Sequence, residues 1–118
     1  MANVNLQQGG EEALEKLLEE YQIVQEQLKA YASLIDQLQT QKEEMERAKQ
    51  EIQNSNGKVY LSVGGIIVET TKEKALEDLN NRSEMNNLRL STTSKQYNEL
   101  KNKEKEISSK ITELYKQQ

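Results

Sequence analysis

The chain has 118 residues, and 34% hydrophobic content against 31% charged is too little apolar matter for a globular core, though enough for narrow helical seams in a single domain over 1–118. Cysteine and histidine are absent, which excludes disulfides, thiolate nucleophiles, Cys/His zinc sites and imidazole acid–base chemistry. A net charge of −4 weighs against a phosphate-binding partner, so no nucleic acid is expected.

Residues 1–10 form a polar lead (Asn3, Asn5, Gln7, Gln8) ending in Gly9-Gly10, expected to be flexible. It has no basic-then-apolar signal pattern, and no apolar run approaches the ~20 residues of a membrane span. An intracellular, cytoplasmic protein without membrane attachment is the expectation.

A first helix is predicted over 11–53, about 65 Å long at 1.5 Å per residue. Its apolar stripe runs Leu14, Leu17, Tyr21, Val24, Leu28, Tyr31, Ile35, Leu38, Lys42, Met45, Lys49, Ile52. Steps of alternating three and four are the a/d spacing of a coiled coil. Asn54-Ser55-Asn56-Gly57 should stop the helix, since Asn and Gly tolerate the left-handed conformation that follows many helices.

The period then changes. Val59-Tyr60-Leu61-Ser62-Val63 and Ile66-Ile67-Val68-Glu69-Thr70 flank Gly64-Gly65, a β-hairpin signal over 58–70 because a primed turn needs positive φ at its centre. With the two glycines as the loop, Val63 faces Ile66, Leu61 faces Val68 and Val59 faces Thr70. Those six share one face; Tyr60, Ser62, Ile67 and Glu69 share the other.

A second helix is predicted over 71–116, capped by Thr70 or Thr71, with Glu73 three residues after Thr70 as in a capping box. Its stripe runs Leu76, Leu79, Ser83, Asn86, Leu90, Thr93, Tyr97, Leu100, Glu104, Ile107, Ile111, Leu114. Read in opposite directions, the stripes pair Leu14 with Leu114, Tyr31 with Tyr97 and Ile52 with Leu76, an a position always facing a d position. The expected fold is mainly α: a long antiparallel two-helix coiled coil with one β-hairpin inserted at the fold-back. Five glutamates in 11–20 and five lysines in 101–118 favour that pairing over a parallel one. The stripe is weakest where Lys42 faces Asn86 and Met45 faces Ser83. Met85 and Leu88 fall off it, so either the helix packs on a different neighbour there or the register drifts.

A lone two-stranded hairpin is marginal in water, and its open edges are templates for further strands. Several chains are therefore expected to join their hairpins, through Val59, Leu61, Val63, Ile66, Ile67 and Val68, with the helices projecting as arms. Tyr60 opposite Glu69 reads as structural. The acidic 11–20 run and the Glu43-Glu44 pair read as solvated helix faces rather than metal ligands. Gly57-Lys58 lacks the glycine spacing and following Ser/Thr of a nucleotide loop. No cofactor, metal or catalytic residue is expected.

Long helix, glycine-centred apolar hairpin and long helix, with nothing catalytic, resembles a prefoldin subunit. The residues that carry the likeness are Val59-Tyr60, Val63-Gly64, Ile66-Ile67-Val68, Thr70-Thr71-Lys72-Glu73-Lys74-Ala75, Leu79, Arg82 and Leu88-Arg89, all within 58–90. Only 54–71 lie between the helices, room for a single hairpin, so the chain resembles the archaeal-like beta type rather than the two-hairpin alpha type. The run from Leu14 to Leu28 with Tyr21-Gln22 has an alpha-type flavour.

The resemblance implies a hexamer of two alpha-type and four beta-type subunits. It implies an ATP-independent holdase that captures unfolded protein clients at the arm tips and delivers them to a group II chaperonin. At the tips the candidates for client contact are Val4, Leu6, Leu14, Leu17, Leu18, Ile111, Leu114 and Tyr115. Leu14, Leu17, Ile111 and Leu114 also belong to the seam and have a packing role; Val4, Leu6, Leu18 and Tyr115 lie off it. The competing reading is a structural or scaffolding coiled coil without client activity, for which an apolar hairpin with open edges has no evident use.

Overall fold

The computed structural model describes residues 2–117, with side chains from 9 onward. The elements follow in the order α1 (Ala2–Asn54), β1 (Val59–Val63), β2 (Ile66–Thr70) and α2 (Lys72–Gln117). This is the expected fold class, two long helices with one antiparallel hairpin between them. α1 begins at Ala2, where the two glycines had suggested a start near Glu11. Gly9 and Gly10 lower helix propensity by about 1 kcal/mol each, but unlike proline they keep the backbone donor, so the ladder can run through them.

The helices contribute to two compact units, one holding the chain up to Ser33 and from Thr93 onward, the other Leu34–Thr92. In the first unit the core is Val24, Leu28 and Ile107, with Leu17, Tyr21, Tyr97, Leu100 and Ile111 packed against it. Every one of these is a stripe residue. Across the same seam Gln25 Nε2 donates to Glu104 Oε2. Lys101 Nζ lies 3.7 Å from Glu104 Oε1 and 5.9 Å from the centre of the Tyr97 ring. Glu104, a charge at a stripe position, is thus held at the seam edge by two partners.

The second unit settles the weak stretch. Ser83 Oγ meets Met45 Sδ at 3.8 Å, the pair that the mirrored stripes place together. Asn86 is buried and donates from Nδ2 to the Leu38 carbonyl at 3.0 Å. The register does not drift. Lys42, expected to face Asn86, is exposed instead, because an ammonium has no acceptor in the seam and Asn86 turns to the backbone of Leu38. Lys42 is the one stripe position that is fully exposed; the other stripe residues of both helices are buried or half-buried.

The hairpin has the expected register, Val59↔Thr70, Leu61↔Val68 and Val63↔Ile66. Gly64 and Gly65 have φ of 55° and 82°, the two positive values of a type I′ turn. The end of α1 differs from expectation in its chemistry, and at the start of α2 the expected threonine cap forms without the capping box. Among the described residues no other position has positive φ, so α1 does not end in a left-handed cap at 54–57. Its last carbonyls are met from α2: Lys72 Nζ reaches Gln53 O at 2.6 Å and Ser55 O at 3.3 Å, a cation on the negative end of the helix dipole. Ser55 N–H donates to Ile52 O at 3.2 Å. At the start of α2 the cap is Thr71, whose Oγ1 accepts from Lys74 N–H at 3.1 Å. Thr70 is the last residue of β2, so Glu73 is out of place for a capping box.

Candidate functional site

Two groups of predicted residues behave differently. In the hairpin, Val59 and Leu61 are half-buried, whereas Val63, Ile66, Ile67 and Val68 are exposed. Ile66 and Ile67 are 68% and 73% exposed, on opposite faces of the ladder. Tyr60 is exposed as well, on the Ile67 face. β1 and β2 form a two-stranded sheet whose outer edges carry no further strand among the described residues. A surface with five exposed large apolar side chains within ten strand residues is built to be covered. Tyr60 pairs with Glu69 as expected, and that pairing leaves its ring in solvent.

At the helix ends Leu14, Leu17, Ile111 and Leu114 are half-buried, and Leu17 and Ile111 pack on the Val24–Leu28–Ile107 core. Leu18 and Tyr115, which lie off the stripe, are exposed. Val4 and Leu6 lie outside the residues whose side chains are described. Of the described tip candidates, the free apolar surface is therefore that of Leu18 and Tyr115.

Among the described residues no group of three or more Asp or Glu converges on a metal-sized site, and no helix is long and apolar enough to cross a membrane.

The model of the prefoldin subunit family matches residues 15–118. The chain belongs to the prefoldin subunit family. It is 32% identical over 100 residues to the prefoldin subunit beta of Pyrococcus abyssi, a match covering 83% of this chain and 86% of the relative. To the prefoldin subunit beta of Thermoplasma volcanium it is 31% identical over 107 residues, covering 88% and 86%. The crystal structure of the prefoldin beta subunit from Thermococcus strain KS-1 matches with a TM-score of 0.79 at 29% identity, over 86% of this chain and 90% of that one. The single hairpin agrees with these beta-type likenesses. Prefoldin beta subunits form hetero-oligomeric complexes with other prefoldin subunits.

Proposed function

We propose that this prefoldin chain acts as the beta-type subunit of an ATP-independent holdase, gripping unfolded proteins at its helix ends and passing them to a group II chaperonin. That it is a prefoldin chaperone subunit follows from its family and fold. The observation that carries the assembly half is the hairpin, whose five exposed apolar side chains need other subunits to cover them. The assembly takes the form of two alpha-type and four beta-type chains, with copies of this chain as the beta-type members, in the cytoplasm.

Client contact rests on Leu18 and Tyr115, apolar groups that the seam leaves free. Ile111 and Leu114 become available where the last turns of α2 fray, which costs little at a helix end, whereas Leu14 and Leu17 lie more than three turns inside α1 and stay candidates on the sequence alone. Val4 and Leu6 join them as candidates on sequence alone. Two exposed side chains grip weakly, and linked copies raise the avidity by about 100-fold or more where the geometry allows simultaneous contact.

The test is suppression of aggregation of a chemically unfolded client, without nucleotide, by the assembled complex. A Leu18→Ser/Tyr115→Ser variant should assemble normally, because both side chains are exposed, and should protect the client several-fold less well. Full protection by that variant in an intact assembly would remove these residues from the site.

A further inference from the structure

On α2, away from the seam, Met85 and Leu88 are 59% and 62% exposed, as free as the hairpin's own apolar groups. The matched pair Ser83–Met45 and the buried Asn86 rule out register drift as the reason they leave the stripe. Their side chains point out of a correctly registered helix pair. What remains is a different neighbour.

Met85 does not stand on a flat surface. It lines a groove between the helices, with Met45 and Glu44 on the α1 wall and Arg82 and Arg89 beside it on the α2 wall. Arg82 is already tied to Asp78 at 2.9 Å, which leaves Arg89 as the cation with no ion-pair partner on this wall. A single glutamate on one wall and an unpaired arginine on the other are self-complementary: a two-fold axis sets each copy's Glu44 against the other's Arg89. The whole feature belongs to the unit that carries the hairpin.

Interface size points the same way. A stable protein–protein contact takes about 20–30 residues and about 800 Å² from each partner, and a chain within a closed assembly makes two. β1 and β2 supply five residues each. The hairpin alone is too small, and the subunit contact must continue onto helical surface.

We propose that the groove lined by Met85, with the exposed Leu88 beside it on α2, is a second part of the subunit interface, covered by another copy of this chain. The proposal rests on the assembled state put forward above, and the experiment separates the two. The chain contains no cysteine, so Met85→Cys, Ile67→Cys and Lys95→Cys each introduce a unique thiol. Maleimide labelling of each full-length variant is followed alone, at concentrations spanning assembly and dissociation, with native mass measured in parallel. Lys95 is exposed and serves as the unprotected reference.

In the assembled chain, Cys at 67 and at 85 should both label at least tenfold more slowly than Cys at 95, and dilution should abolish the difference. Protection at 67 without protection at 85 overturns the groove proposal and leaves hairpin assembly standing. A monomer with no protection at either site overturns the groove proposal and leaves assembly with an alpha-type subunit standing. Protection at 85 that appears only on adding an alpha-type prefoldin subunit overturns a copy of this chain as the occupant. As a second readout, Arg89→Glu should weaken self-association and Arg89→Glu/Glu44→Arg should restore it. Far-UV circular dichroism should not change, since both side chains are exposed. Failure of the double variant to restore association refutes the two-fold arrangement.

Discussion

Two adjacent residues on α1 test the seam more sharply than any distant pair. Val24 is 2% exposed within the first unit's core, and Ile23 is 55% exposed one position away. Truncating Val24 to Ala removes two methyl groups from a packed site, a loss of about 1.6 kcal/mol at ~0.8 kcal/mol per buried carbon. A residual cavity adds to this, so Val24→Ala should cost about 2 kcal/mol. Ile23→Ala removes more atoms, but from solvent, and alanine is the better helix former, so its effect should stay within about 0.5 kcal/mol. Urea unfolding at one fixed protein concentration reads the difference as a shift in midpoint at constant slope, which keeps the association equilibrium the same for all three proteins. For a chain of this size, about 2 kcal/mol corresponds to a fall in Tm on the order of 8 °C. A larger loss from Ile23→Ala than from Val24→Ala would mean that the helix is rotated by about 100° from the seam described, and the core assignment would fall.

The turn glycines should discriminate by conformation alone, because nothing lies within 4 Å of a Cβ built at either position. Gly65→Ala, at φ 82°, should cost about 1–2 kcal/mol, whereas Gly64→Asn, at φ 55°, should cost only a few tenths; amide exchange across the Val59–Thr70 ladder measures both. Asn86→Ala should lose about 1 kcal/mol for the bond to the Leu38 carbonyl plus the cost of the void. Asn86→Leu should keep the helices paired but loosen their register, broadening the distance distribution between spin labels at 45 and 83. An unchanged distribution would show that Asn86 does not set the register.

How legible the molecule was depends on where each residue's partner sits. The stripes were readable because a/d periodicity is written within one helix, and their mirrored spacing gave the pairing, with Met45 meeting Ser83 as expected. The hairpin register followed from a two-glycine loop and a period of two. The junctions were not readable to the residue. Thr70 and Thr71 are equal as caps on paper, and the choice falls to Thr71 because the ladder to Val59 takes up Thr70. The end of α1 was misread for a related reason: Asn56 and Gly57 are local stop signals, but the group that satisfies the last carbonyls is Lys72, on the far side of the hairpin. At the candidate site the hairpin was legible as an apolar run around two glycines. The exposure of Tyr60 was not, because pairing with Glu69 looks structural until the ring is seen in solvent.

Tyr60, Met85 and Leu88 share one physical cause for their obscurity. Local pattern, turn chemistry and seam packing agree with one another along most of this chain, as expected of a sequence that specifies one fold. Where a sequence is this consistent, an apolar side chain that serves neither seam nor ladder is itself a signal. Single exposed apolar residues need no explanation, but a cluster confined to one unit does. Eight of the large exposed hydrophobics, Leu34, Tyr60, Val63, Ile66, Ile67, Val68, Met85 and Leu88, lie within Leu34–Thr92, the unit with the hairpin. Among the residues whose side chains are described, the first unit exposes Leu18, Ile23 and Tyr115, a sparser set suited to weak and exchangeable contact. Dense apolar exposure suits a permanent neighbour, whose cover is never withdrawn; sparse exposure suits a client that must be released. The uneven distribution of apolar surface between the units thus supports the proposed division, assembly in one and capture in the other, and each half of that proposal can fail independently.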